Sequence, residues 1–299
     1  MSVDSSSNSS LHHAFEDCAI FRKSIPVYVA LCISLLLLFP LFILVLCVGC
    51  QRWRKQRSAA AAGPVTSHSD VFTFNMVVLE LIGILGLCLN FFGAYNNQPG
   101  VLRVGSLMAA ITVPGESLFH LLTCVERYLA VVHPVTYLGL KQTGGVRIRN
   151  VIIGCVWLLC WGLSSLSEFS YRFLTISTLV LLLFSTIAVA YCSLTALCVL
   201  IRPGPGEVGG KRKPADQSKQ RALHTMMAVA GTLLLRFLGS FVATITQFSS
   251  DLNDIDKCLV ILSAAWFCLP SSLVLPLLFL HRAGKLPGWK HNTHCICLK

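Results

Sequence analysis

Apolar residues along this chain fall into long runs separated by short polar stretches, and the runs recur at about the 20 residues that a helix needs to cross the hydrocarbon core of a bilayer. Seven such runs are present, over residues 27–49, 72–95, 104–132, 151–167, 173–201, 222–248 and 258–280. The run over 151–167 is the shortest, and those over 104–132 and 222–248 are the least hydrophobic. Strands of an outer-membrane barrel would alternate apolar with polar residues and would be about half as long, so helices are the expected form. The pattern predicts an all-α polytopic membrane protein, a seven-transmembrane helix bundle over 27–280, with an N-terminal segment 1–26 and a C-terminal tail 281–299.

Composition narrows the choice. With 55% hydrophobic and only 12% charged residues, the chain is too apolar for a water-soluble globule of ordinary make-up. Its net charge of +11 does not point to nucleic acid, because the bases sit in short clusters between apolar runs rather than along one polar face. They report orientation instead. Loops after the odd-numbered runs carry Arg52, Arg54, Lys55 and Arg57, then Lys141, Arg147 and Arg149, then Arg202, Lys211, Arg212, Lys213, Lys219 and Arg221, while the tail adds Arg282, Lys285 and Lys290. The opposite side holds Glu16, Asp17, Glu168, Asp251, Asp254 and Asp256, with fewer bases. This places the N-terminus outside the plasma membrane and the tail in the cytoplasm. Residues 1–15 are polar and serine-rich, unlike a cleavable signal peptide, so the first run is expected to serve as the insertion signal. Asn8-Ser9-Ser10 is a glycosylation sequon on the outer side. The one sizeable linker, 202–220, opens with Pro203-Gly204-Pro205-Gly206, which stops a helix. No internal repeat supports a transporter built from duplicated halves.

Fourteen cysteines raise the question of a metal site or a disulfide framework, but most lie inside apolar runs, where they act as small hydrophobes. No paired zinc-ligand spacing exists, so no metal and no cofactor is expected. No nucleophile motif appears either, and an enzyme is not expected.

The third run ends in Glu126-Arg127-Tyr128, followed by Leu129-Ala130-Val131-Val132-His133-Pro134-Val135-Thr136-Tyr137. This string closely resembles the acid-Arg-Tyr motif and second cytoplasmic loop of rhodopsin-like (class A) G-protein-coupled receptors. Trp157 in the fourth run, Asn75-Met76-Val77-Val78-Leu79-Glu80 in the second and Tyr191 in the fifth are similar to further family positions, and the resemblance covers about residues 27–290. It implies that Glu126 and Arg127 form a lock at a helix end whose release opens a crevice for a heterotrimeric G protein, with Tyr128, Pro134 and Tyr191 part of the coupling switch. Departures accompany it. Leu275-Pro276-Leu277-Leu278-Phe279 keeps the family's proline but loses both flanking polar switch groups. Phe39-Pro40-Leu41-Phe42 replaces a Gly-Asn pair, the sixth run lacks the Cys-Trp-x-Pro string, and the fifth has no central proline. No cysteine lies near Leu102, and Glu168-Phe169-Ser170-Tyr171 has none, so the family's disulfide cannot form. Cys18 and Cys258, the two cysteines on the outer side, are the substitute pair expected in its place.

Ionisable residues at membrane depth each cost about 2.5–3.5 kcal/mol on insertion scales and need a partner or a purpose. Glu80, Glu116, His120 and Arg236 are the four that stand out. Glu116 precedes Arg127 by about three helical turns, and His120 follows Glu116 by one. Three readings stay open: Glu80 and Glu116 share a proton or hold a sodium ion, Arg236 forms an internal salt bridge to one glutamate, or Arg236 anchors an anionic ligand. In the tail, glycine and proline make 281–290 a poor helix, Trp289 suits the interface, and Cys295 and Cys297 are palmitoylation candidates.

The expected function is a receptor passing an unknown extracellular ligand's signal to heterotrimeric G proteins. A receptor-like dimer partner or scavenger that does not signal is the alternative, and a transporter or channel ranks behind it.

Overall fold

The computed structural model describes residues 25–58, 68–140, 143–166, 171–201, 214–248, 253, 256, 259–260 and 263–283. The described elements are helical: α1 (Ile25–Ser58), α2 (His68–Tyr95), α3 (Pro99–Ala110), α4 (Thr112–Val132), α5 (Pro134–Leu140), α6 (Thr143–Leu166), α7 (Tyr171–Ile201), α8 (Pro214–Phe248), a short 3-10 turn Ala265–Cys268, and α9 (Leu269–Arg282). Six stretches are long and apolar enough to cross a membrane, namely Val29–Arg52, Asp70–Tyr95, Pro99–Val132, Gly144–Ser165, Thr175–Val199 and Leu223–Thr246. A shorter apolar helix follows over Trp266–His281. Large apolar side chains face outward, with Leu158 76% and Leu37 72% exposed, while Arg236, Glu116 and His120 are buried. That inversion of the water-soluble arrangement marks a helix bundle embedded in a membrane.

The structure redraws several expected boundaries. The third apolar run begins at Pro99 rather than near residue 104, and it is two helices, not one. Proline is the cause, since Pro114 has no amide proton to give the Ala110 carbonyl. Regular bonding resumes when Gly115 N donates to Ile111 O at 3.2 Å, and the Thr112 hydroxyl donates to Ala109 O at 2.6 Å. α6 starts at Thr143, well before the apolar run at 151, and its opening turns include Arg147 and Arg149. The linker expected over 202–220 is shorter, as α8 is already helical from Pro214, a residue suited to a first turn. The seventh run, expected over 258–280, has Cys258 outside the described residues, and its clear helix is the 14-residue α9.

Between α2 and α3 the chain reverses in a few residues. Asn97 adopts φ 52°, the left-handed region that asparagine tolerates, and Gln98 N donates to Gly93 O at 2.8 Å to close the end of α2. Pro99 then opens α3. The two helices approach closely because glycines face each other. A Cβ at Gly86 would lie 2.8 Å from Gly105 O, and one at Gly105 would lie 2.7 Å from Gly86 O. Ser106 donates to Asn90 Oδ1 across the same seam at 3.0 Å.

α4 is the central helix, in contact with α2, α3, α5, α6, α7, α8 and α9. Its buried face runs through Pro114, Gly115, Glu116, Ser117, Phe119, His120, Thr123, Cys124, Glu126 and Val131. Phe119, Leu79, Met76, Leu182, Met226 and Leu233 join it in the main apolar core. A second cluster, with Phe42, Val45, Val77 and Phe279, ties α1, α2 and α9 together.

Replacing Gly86 with valine should therefore push α3 off α2. A fall in stability of about 1–3 kcal/mol is expected, read as a lower melting temperature of the purified protein, whereas an exposed control such as Gly154→Ala, which has nothing within 4 Å, should leave melting unchanged.

Candidate functional site

The four ionisable residues singled out in the sequence meet in the interior. Glu116 and His120 project from α4, Arg236 from the middle of α8 and Glu80 from α2, and α9 closes the cluster with Ser271 and Ser272. Arg236 Nη1 forms an ion pair with Glu116 Oε2 and also donates to Ser271 Oγ at 2.7 Å. The Ser271 hydroxyl in turn donates to Glu116 Oε2 at 2.8 Å, with Cys268 O as a second acceptor at 3.0 Å. His120 Nε2 lies 3.0 Å from Ser271 O; a carbonyl only accepts, so Nε2 carries the proton. The Glu80 carboxyl lies within hydrogen-bonding reach of Glu116 and Ser272. Glu80 Oε1, His120 Nδ1 and Arg236 Nε are buried with no hydrogen-bond partner. Arg236 is only 1% exposed, so its charge is compensated inside the protein or not at all.

Ser271 and Ser272 are the members that sequence reasoning missed. The signal was modest: a polar pair just after Leu269-Pro270 within an apolar run. Serine at membrane depth usually bonds back to its own helix, as Ser117 does to Val113 O at 2.8 Å, and residue type alone does not show which serine reaches across.

A second polar site lies at the other end of α4. The helix stops at His133, whose backbone at φ −127° and ψ 65° leaves the helical region ahead of Pro134. Tyr137, on the short α5 that Pro134 opens, donates to Glu126 Oε1 at 3.3 Å. Glu126 is buried, and Arg149 at the start of α6 lies within its electrostatic reach. Arg127 Nε is buried without a hydrogen-bond partner. Tyr128 packs edge-on against the His133 ring at 5.8 Å. Pro134 is exposed. Tyr191, expected to join the switch, is not brought here: it is 64% exposed on the outward face of α7.

Two other residues quoted for the resemblance do meet, as Trp157 Nε1 on α6 donates to Asn75 Oδ1 on α2 at 3.0 Å. At the Arg282 end of α9, Leu275 and Phe279 are buried. The Phe279 ring packs edge-on against Phe74 at 5.3 Å, and the Arg52 guanidinium lies 5.4 Å from its centroid. Asn8, Cys18, Cys258, Cys295 and Cys297 lie outside the described residues.

No protein-family model matches the chain, and no curated protein is similar enough to count as a match.

The Asn75–Trp157 bond joins α2 to α6, a helix with little other buried surface. A double-mutant cycle on Asn75→Leu and Trp157→Phe should return a coupling of about 0.6–1.7 kcal/mol, the range for interhelical bonds in membranes, measured by reversible unfolding in lipid-like detergent. Additive effects would mean that the bond contributes nothing.

Proposed function

We propose that the protein is a seven-crossing receptor of the rhodopsin-like type, which carries an extracellular signal to a heterotrimeric G protein. One observation carries the reading: Glu126-Arg127-Tyr128 lies near the end of the central helix α4, shortly before a stop imposed by Pro134, with Tyr137 reaching back to Glu126. An acid and an arginine at such a place serve as a lock that a conformational change can open, and the opened end is where a partner helix would enter. Two lines add support, the Asn75–Trp157 bond between residues that also resemble family positions, and the six long apolar helices with the shorter Trp266–His281 helix as a seventh crossing. In this reading the N-terminus is outside, the basic loops and tail are cytoplasmic, and the ligand enters between the outer halves of the helices.

A second reading rests on α9. Leu275 and Phe279 are buried and apolar where the resembled family carries polar switch groups, which favours a receptor-like partner or scavenger that does not signal by itself.

Nucleotide exchange on purified G proteins, with the full chain in lipid nanodiscs, separates the two. A signalling receptor should accelerate exchange on at least one G-protein class, Glu126→Gln should raise the basal rate by roughly 5-fold, and Arg127→Ala should return it to that of the G protein alone. Equal, flat rates for all three proteins on every class would favour the non-signalling reading.

A further inference from the structure

Two carboxyl groups facing each other inside a lipid-surrounded bundle need a positive charge or a proton between them. The groups packed around this pair come from every neighbouring helix: Glu80 from α2, Glu116 and His120 from α4, Arg236 from α8, and Cys268, Ser271 and Ser272 from the α9 side. Among them the guanidinium of Arg236 is the fixed positive charge. It lies on Glu116 Oε2, and the Ser271 hydroxyl braces both partners, 2.7 Å from Arg236 Nη1 and 2.8 Å from Glu116 Oε2. Glu80 completes the pair, and its Oε1 is left buried with no partner. With one guanidinium for two carboxyl groups, a single proton between Glu80 and Glu116 makes the whole cluster neutral.

We propose that the Glu80–Glu116 pair is a cation site filled from within. Arg236 is its cation, so the protein takes up no free sodium or potassium ion there, and removing the guanidinium converts the pair into a site for a free monovalent cation. The donor set for such an ion is already in place, since the oxygens of Glu80, Glu116, Ser271 and Ser272 are the kind that hard cations select. The tethered cation has a structural consequence that a free ion would not have. It ties α8 to α4 and α9 through one side chain, so the site is filled only while the three helices keep their present arrangement. This inference deepens the polar-core part of the receptor reading, but it needs neither ligand nor G protein. Melting curves therefore decide it separately from nucleotide exchange.

The test is thermal unfolding of the purified full chain in sodium chloride and in choline chloride at equal ionic strength, followed by exposure of the buried thiols Cys124, Cys160 and Cys192. Wild type should melt at the same temperature in both salts. Arg236→Met should melt lower than wild type by more than about 5 °C in choline and recover as sodium replaces it. Glu116→Gln/Arg236→Met should melt above the single variant in choline and lose the sodium response, because the orphaned charge is gone. A sodium-specific rise in wild type would overturn the proposal. So would an Arg236→Met protein that is equally unstable, or equally unfolded, in the two salts. Folding of that variant in sodium but not in choline would support it.

Discussion

Arg236 places a charge where neither water nor lipid headgroups reach it, and much of the bundle is arranged around that fact. Moving an ammonium-sized or guanidinium-sized ion into a medium of low dielectric carries a penalty of several kcal/mol even after relaxation, and attraction to one carboxylate offsets it only with good geometry and further hydrogen bonds. Both conditions are met through Ser271, whose hydroxyl accepts from the guanidinium and donates to the carboxylate. Such a triad fixes more than energy. Its members stand on three helices, so rotating α4, α8 or α9 by a fraction of a turn would leave an uncompensated charge, a far larger cost than losing an apolar contact that neighbouring side chains could refill. The ion pair therefore sets the register in which the apolar core packs, and Phe119, Leu233 and Leu275 follow.

α4 has to lie at the centre for this to work, and small or helix-breaking residues put it there. A Cβ at Gly115 would lie 2.5 Å from Leu79 Cδ2, so the glycine lets the Leu79 side chain of α2 pack directly on the α4 backbone. Pro114 interrupts the helical bonding between α3 and α4, and α3 lies along α2 at the Gly86–Gly105 seam. Glu116 lies just beyond this break. The same helix then runs to Glu126 and Arg127, so the buried cluster and the polar site beside Tyr137 are the two ends of one rigid element. A displacement of α4 along its axis would disturb both together.

Much of this was legible in the residues themselves. Long apolar runs foretold the membrane helices because hydrocarbon leaves the backbone no other partner, and the rarity of charge at membrane depth singled out Glu80, Glu116, His120 and Arg236 before any contact was known. The choice among a carboxylate pair, a salt bridge and a ligand anchor was not legible, because it depends on which faces of α2, α4 and α8 meet, and helices apolar on all sides carry no stripe to say so. The structure brings the first two arrangements together in one cluster. Serine roles were hidden for a related reason, since Ser271 and Ser117 differ in partner and not in type. Pro114 is visible in the sequence, but a proline inside an apolar run reads as an ordinary membrane residue, and the helix break just before it is not legible there. Tyr191 is the opposite case, a residue placed by similarity of position whose side chain is exposed on the outer side of α7 rather than beside Arg127.

α9 meets its neighbours in two different ways along its length. At its Arg282 end, Phe279 packs against Phe74 and under Arg52 in a plain apolar joint with α1 and α2, while Leu275 belongs to the main core. Hydrogen bonds that would tie α9 to its neighbours there are instead found higher in the helix, at Ser271 and Ser272. An apolar joint allows small sliding at little cost, whereas a charged triad is either made or broken. The Phe279 end of α9 is therefore held by packing and the Ser271 end by charge and hydrogen bonds. Any motion of α8 away from α4 must separate Arg236 from Glu116, so the ion pair in the middle of the bundle opposes such a rearrangement.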